Sequence, residues 1–242
     1  ASSALDKVAG NAKSIASSIG SGLATAAKVG AAGIAAAAGA VTALTTASVK
    51  NYAEYEQLVG GIDTLFAASS AKVQEYAANA FLTAGMSAND YMDTVTSFSA
   101  SLLQGLGGDT DKAAEIANRA ITDMSDNANK MGTSMEAIQN AYQGFAKQNY
   151  TMLDNLKLGY GGTASEMARL INDSGVLGSQ MTVTAKTVND VSFDKIIEAI
   201  GVVQDKMGIT GTTAAEAAST IQGSISSMQS AWQNLLTGIS DE

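Results

Sequence analysis

The chain contains no cysteine, no proline and no histidine in 242 residues. Without cysteine there is no disulfide framework, and cysteine usage says nothing of the redox compartment. Without histidine or cysteine a zinc site would have to be built from carboxylates alone, which suits that metal poorly. Cys–His and Ser–His–Asp nucleophilic chemistry are excluded outright. Proline at average usage, about 5%, would have appeared roughly a dozen times. Its absence suits long uninterrupted helices, since proline breaks helix interiors. It also leaves turns to be made by glycine, of which there are 24, and by capping residues. Arginine is scarce as well. Arg119 and Arg169 stand apart, and no basic patch is interleaved with aromatics, so sequence-specific nucleic-acid binding is not expected.

The formal charge is −9, unevenly spread. Within residues 1–50, Lys7, Lys13, Lys28 and Lys50 outweigh Asp6 for a net of +3, and the remainder of the chain carries −12. A body this acidic repels a phosphate backbone. If DNA passes nearby, the body is suited to a non-sticking wall; plain solubility explains the charge equally well.

The sequence is rich in helix punctuation. Ser87 followed by Asp90 is an acidic variant of the capping box, and Thr133 followed by Glu136 is its standard form. Thr151 with Asp154 and Thr163 with Glu166 repeat the pattern, Gly107-Gly108 ends one helix, and Asp109 or Thr110 opens the next. Tyr91, Val95, Phe98 and Leu102 fall on one helical face. Ala117, Ile121, Met124, Ala128, Met131, Met135, Ile138, Tyr142 and Phe145 alternate steps of four and three, the spacing of an apolar seam. Gly132-Thr133 interrupts that seam, which predicts two packed helices in place of one long coiled coil.

Residues 1–50 are dominated by Ala, Ser and Gly. Leu5, Val8, Ala12, Ile15 and Ile19 outline a loose amphipathic helix. Val29 to Val49 then forms an uncharged run of 21 residues between Lys28 and Lys50, about 31 Å long as a helix and close to a bilayer core. Val29, Gly30, Gly33, Ile34, Gly39, Val41, Leu44 and Val49 are its candidate membrane or oligomer residues. The composition is mostly Ala and Gly, weak for membrane insertion, whereas the glycines permit close approach between helices. A signal peptide fits less well, because the run lacks a starting Met and lies too far into the chain.

Further along, Tyr55, Leu58, Ile62 and Leu65 share a face, with a break or a close helix contact expected at Gly60-Gly61. Ser69 or Ser70 opens a helix to about Thr83, buried through Val73, Tyr76, Ala80 and Phe81, and stopped by Gly85. A short helix follows from Ala164 to about Asn172. Residues 180–193 alternate and are β-branched, which allows one short β-ribbon there with Asn189-Asp190 as its turn. Ser192 with Lys195 opens a helix through Ile196, Ile197, Ile200 and Val203, ending near Gly208. Thr212 or Thr213, with Glu216, opens the last helix, whose stripe is Ala217, Ile221, Ile225, Met228, Trp232, Leu235 and Ile239. Trp232, the single tryptophan, is expected to anchor the core and joins the packing-seam candidates Ile121, Met124, Met131, Met135, Ile138, Tyr142 and Phe145.

Little points to catalysis. The glycine-rich strings GLGGD and GYGGT lack the lysine of a phosphate-binding loop. Asp90 with Asp93, and Asp123 with Asp126, are carboxylate pairs one turn apart, each expected beside a cap or on a polar face and not in a glycan-cleaving cleft. Asp109 and Asp111 have too few companion oxygens for calcium and read as helix N-terminal acids. No cofactor, metal or enzymatic activity is expected.

The strings AGMSANDYMDTVTSFSASLLQGLGGD, AITDMSDNANKMGTSMEAIQNAYQGFAKQNYTMLDNLKLGYGG and TIQGSISSMQSAWQNLLTG resemble the core region of phage tail tape measure proteins, over roughly Tyr52 to Gly238. The resemblance implies a segment of a longer polypeptide, and the chain's first and last residues, Ala1 and Glu242, agree with that expectation. It implies a structural virion protein inside the tail tube. Such a protein sets tail length during assembly and leaves ahead of the DNA to help its passage through the host envelope. Its implied partners are further copies of itself, the tail tube protein, tail assembly chaperones, tail-tip or baseplate hub proteins and, at ejection, the host membrane. A homologue in a phage tail-like particle fits the same strings. The expected fold is mainly α, with an elongated small-residue helix over 1–50 leading into a compact multi-helix body over 51–242. The alternative is a membrane-active, pore-forming helical protein acting through residues 22–49, and liposome dye release by this chain alone distinguishes it. A wall hydrolase is the third reading, tested on peptidoglycan.

If the small-residue run is an assembly seam, the chain sediments as a defined small oligomer and becomes a monomer when residues 1–50 are removed. A monomer in both cases, with the longer chain moving onto liposomes, marks the run as a membrane element instead.

Overall fold

The computed structural model describes residues 50–178, 181–219, 228–234 and 237. The candidate segment Val29–Val49, with Gly30, Gly33, Ile34, Gly39, Val41 and Leu44, lies outside the described residues, as does most of the Ala217–Ile239 stripe. The chain divides into a unit from Gly60 to Ser230 and a second unit of the residues flanking it.

The fold is mainly helical, as expected. Helix α1 covers residues 50–66 and runs into a 3₁₀ turn at Ala67–Ser69. It is followed by α2 (Ser70–Thr83), α3 (Ala88–Gly105), α4 (Thr110–Met131) and α5 (Met135–Ala146). A 3₁₀ turn at Leu153–Leu156 leads to α6 (Ala164–Ser174), and a second, Val188–Asp190, to α7 (Phe193–Lys206) and α8 (Thr212–Ser219). Within the Gly60–Ser230 unit, α4 is the hub: α2, α3, α5, α7 and α8 all pack on it, while α6 packs on α7.

The start signals work largely as written. The Ser87 hydroxyl accepts the Asp90 N–H at 3.2 Å and donates to the Asp90 carboxylate at 2.6 Å. Asp109 accepts the Lys112 N–H at 3.0 Å, which makes it the cap of α4. Thr163 accepts the Glu166 N–H at 3.2 Å, while the Glu166 carboxylate reaches back to the Gly161 N–H at 3.1 Å. Two caps are corrected. Ser134, not Thr133, caps α5 by accepting the Ala137 N–H at 3.3 Å. Thr133 is drawn away to donate to the Asn155 carbonyl at 2.9 Å. Thr151 caps nothing, because its own N–H and hydroxyl both donate to Asn149 Oδ1.

The stop signals hold at Gly85, Gly132 and Gly208, each with φ between 62° and 65°, a conformation that costs glycine no Cβ clash. Gly132 ends α4 in mid-seam and separates it from α5. At Gly60-Gly61 the helix does not break. Gly61 lies against α3 instead, where an added Cβ would meet Thr96 Cγ2 at 3.6 Å.

No strand occurs among the described residues, so the β-ribbon allowed over 180–193 is not formed by residues 181–193. A side chain takes the place of a partner strand. Asn172 on α6 accepts the Val183 N–H at 2.9 Å and donates to the Val183 carbonyl at 2.8 Å. The extended backbone is thus satisfied by one amide, and Asn189 and Asp190 form a 3₁₀ turn, not a ribbon turn.

The core faces agree with the periodicity. Tyr91, Val95, Phe98 and Leu102 are buried on α3, Ile196, Ile197, Ile200 and Val203 on α7. On α2 the burial passes through Val73, Ala77 and Ala80, with Tyr76 and Phe81 half-buried. The loop before α6 is pinned from below: a Cβ on Gly162 would sit 2.2 Å from the Thr151 carbonyl oxygen and 2.9 Å from its carbon. Gly162→Ala is therefore expected to destabilise by about 3 kcal/mol, while Gly161→Ala, whose Cβ would meet only Glu166 Cγ at 3.6 Å, should change urea unfolding little.

Candidate functional site

The most unusual chemistry lies at the C-terminal half of α4. An amphipathic helix buries one stripe, yet Asp123, Met124, Ser125, Asp126 and Asn127 are all buried in succession. This one turn is enclosed on every side, whereas Ala128 to Met131 beyond it are half-buried or exposed, and four of the five buried residues are polar. Asp123 and Asp126 are thus not on a polar face, as the sequence suggested, but 2% and 0% exposed.

Most of these polar groups terminate another segment. Ser125 donates to the Ala84 carbonyl at 2.7 Å, the end of α2. Asn127 donates to the Leu156 carbonyl at 2.9 Å, the end of a 3₁₀ turn. Asp126 accepts the Gly211 N–H at 2.6 Å and the Thr213 N–H at 2.8 Å, the start of α8. The cap of α8 is therefore this distant carboxylate, where Thr212 or Thr213 had been expected to supply it. The carboxylate also opposes the positive end of the helix.

Asp123 differs. Its Oδ2 makes no hydrogen bond, and its ion pair to Arg119 Nε is 3.6 Å long. Arg119 reaches on to Asp205 of α7 at 3.8 Å. The two meet over Gly201, where a Cβ would come within 2.6 Å of Arg119 Nη2 and 2.7 Å of Asp123 Oδ2. Only glycine leaves space for them. Burial pushes the Asp123 carboxyl up to about 7; Arg119 opposes this, while Asp126 and Asp205 add to it. The Tyr142 hydroxyl of α5, buried and without a hydrogen-bond partner, is held well above its ordinary value by the same burial and by Asp123.

The other expected residues divide clearly. Ile121 and Met124 on α4 are buried, as are Ile138, Tyr142 and Phe145 on α5, with the Tyr142 and Phe145 rings 5.8 Å apart. Met131 and Met135 are half-buried on either side of the Gly132 corner. Trp232 is 51% exposed and does not anchor the core. Its place in the apolar stripe fixes a helix face but not whether anything covers that face. Asp93 is exposed on α3, and Asp111 pairs with Lys72 at 2.8 Å. Arg169, alone in sequence, pairs with Glu166 at 2.5 Å, donates to the Gly159 carbonyl at 2.9 Å and stacks 4.2 Å from the Tyr160 ring centre. It clamps the GYGG loop.

Asp123 has the protonation range of an acid–base catalyst, but it faces packed helices, and a reactant has no access to it. A hollow of about 210 Å³ lies elsewhere, between the end of α6 and Thr182, lined by Ile171, Asn172, Leu177 and Met181 and by no charged side chain. No helix among the described residues is long and apolar enough to cross a membrane. No protein-family model, no curated protein and no solved structure matches the chain.

The capping arrangement yields a direct expectation. Asp126→Ala strips two backbone donors of a charged acceptor and should cost about 3 kcal/mol. In hydrogen exchange, the Gly211 and Thr213 amides should lose protection before those of α3.

Proposed function

We propose that this chain is a segment of a phage tail tape measure protein, or of its counterpart in a tail-like particle. Its role is structural: it occupies the tail tube, contributes to the length ruler during assembly and leaves ahead of the genome. The observation that carries the reading is the resemblance of three long strings across roughly Tyr52 to Gly238. Consistent with it are the mainly helical body and a net charge of −9, which keeps the chain from adhering to DNA that follows it. The reading includes no catalysis. Its partners are the tube protein, the assembly chaperones, the tail-tip proteins and other copies of the chain.

A membrane-active role is the second reading, favoured by the uncharged run Val29–Val49. As part of a tape measure, that run acts at ejection; as an independent pore-former, it releases dye from liposomes with no tail present.

The deciding experiment is an in-frame deletion of Gly60–Ser230 in the full-length protein of a phage that carries it, with tail lengths read by electron microscopy. A ruler gives uniformly shorter tails, by up to about 1.5 Å per residue removed if the segment is helical in the tube. Tails of unchanged length overturn the ruler role, and absence of the chain from purified tails overturns the tail assignment.

A further inference from the structure

The buried carboxylate that caps nothing is the feature the structural role leaves unused. The charged and titratable groups facing Asp123 are Arg119 and Asp126 on its own helix, Asp205 on α7 and the Tyr142 hydroxyl on α5. Asp126 is committed, since its two oxygens hold the α8 backbone. Arg119, 44% exposed at its side chain, is the one cation in this group, shared between Asp123 and Asp205. Its reach to both is long, 3.6 and 3.8 Å, so neither ion pair is closed by a short hydrogen bond.

We propose that Arg119, Asp123 and Asp205, meeting at Gly201, form a proton-operated latch between α4 and α7. With Asp123 neutral, Arg119 serves Asp205 alone, and the buried turn of α4 carries only the charge that Asp126 needs to clamp α8. With Asp123 ionised, its buried carboxylate and the half-exposed Asp205 compete for one guanidinium beside the Asp126 charge, and the α4–α7 interface loosens. A buried charge lacking full compensation is what folded proteins least tolerate. Gly201 makes the arrangement specific, because a side chain there would push Arg119 and Asp123 apart.

The direction with pH follows from the proton count. The folded carboxyl keeps its proton up to about pH 7, whereas the unfolded one loses it near its ordinary value of 3.8. The fold therefore binds more protons between those values, and this group's contribution to stability falls as pH rises from about 4 to about 7. The body is tighter in mild acid than in mild alkali as far as Asp123 is concerned.

The direct measurement is a carboxyl carbon NMR titration of Asp123 in the wild-type chain, which needs no variant. A midpoint near 7 is expected, and a midpoint near 4 overturns the latch. Two variants then move that midpoint in opposite directions. Asp205→Asn lowers it by removing a like charge, and Arg119→Met raises it by removing the cation; no movement in either shows that the three do not act together. In thermal unfolding, Asp123→Asn should melt about 10 °C above wild type at pH 8, with the gap narrowing below pH 7 and closing near pH 4. A gap that does not change with pH assigns the effect to packing and overturns the proposal.

Discussion

The need to satisfy backbone groups at the ends of short helices shapes this molecule more than any other constraint. Every helix ends with unpaired carbonyls and begins with unpaired N–H groups. Local caps such as Ser87, Asp109 and Thr163 answer several of these. Three segments that end inside the body are closed by side chains from another helix instead. The C-terminal half of α4 supplies them. Ser125, Asp126 and Asn127 close the end of α2, the start of α8 and the end of a 3₁₀ turn. One helix turn thus fixes three neighbours in place, and these hydrogen bonds offset the cost of burying its polar groups.

The same economy of backbone groups explains the absence of a strand among residues 181–193. That segment needs only one paired residue to be held, and Asn172 supplies both hydrogen bonds to Val183. Lys206 on α7 similarly donates to the Asp173 carbonyl at 2.7 Å, closing the end of α6. With neither proline nor disulfides to stiffen connections, the protein relies on side-chain amides, hydroxyls and carboxylates aimed at backbone.

Asp123 belongs to this buried turn yet closes nothing. Its neighbours give it one shared cation and two competing carboxylates, and the missing Cβ at Gly201 gives it space. For a protein proposed to be packed in one state and released in another, a proton-sensitive helix interface offers a route between states that needs no ligand. The network costs stability whenever the carboxylate is charged, which is how buried charge ordinarily behaves.

The sequence by itself determined the helical class, the apolar faces of α3, α5 and α7, and the stops at Gly85, Gly132 and Gly208. These follow from 3.6-residue periodicity and from the φ that only glycine adopts freely, both local properties of the chain. It also determined three of the caps, since a hydroxyl or carboxylate three residues before a free N–H acts within one turn. What only the tertiary structure decided was everything that depends on which turn meets which. In the string DMSDNAN, Met124 and Ala128 read as seam, and Asp123 and Asp126 as lying beside a cap or on a polar face, because Asp usually is solvated. The one hint otherwise lay just before it, in Ala113, Ala114, Ala117 and Ala120, whose small side chains ring more than one face and let neighbours close in. Arg119 and Gly201 are 82 positions apart, and no spacing rule joins them. Whether Trp232 is covered is likewise a matter of neighbours. Periodicity assigns a residue to a face; only the packing of other helices decides whether that face is dry, and what charge a carboxylate on it can keep.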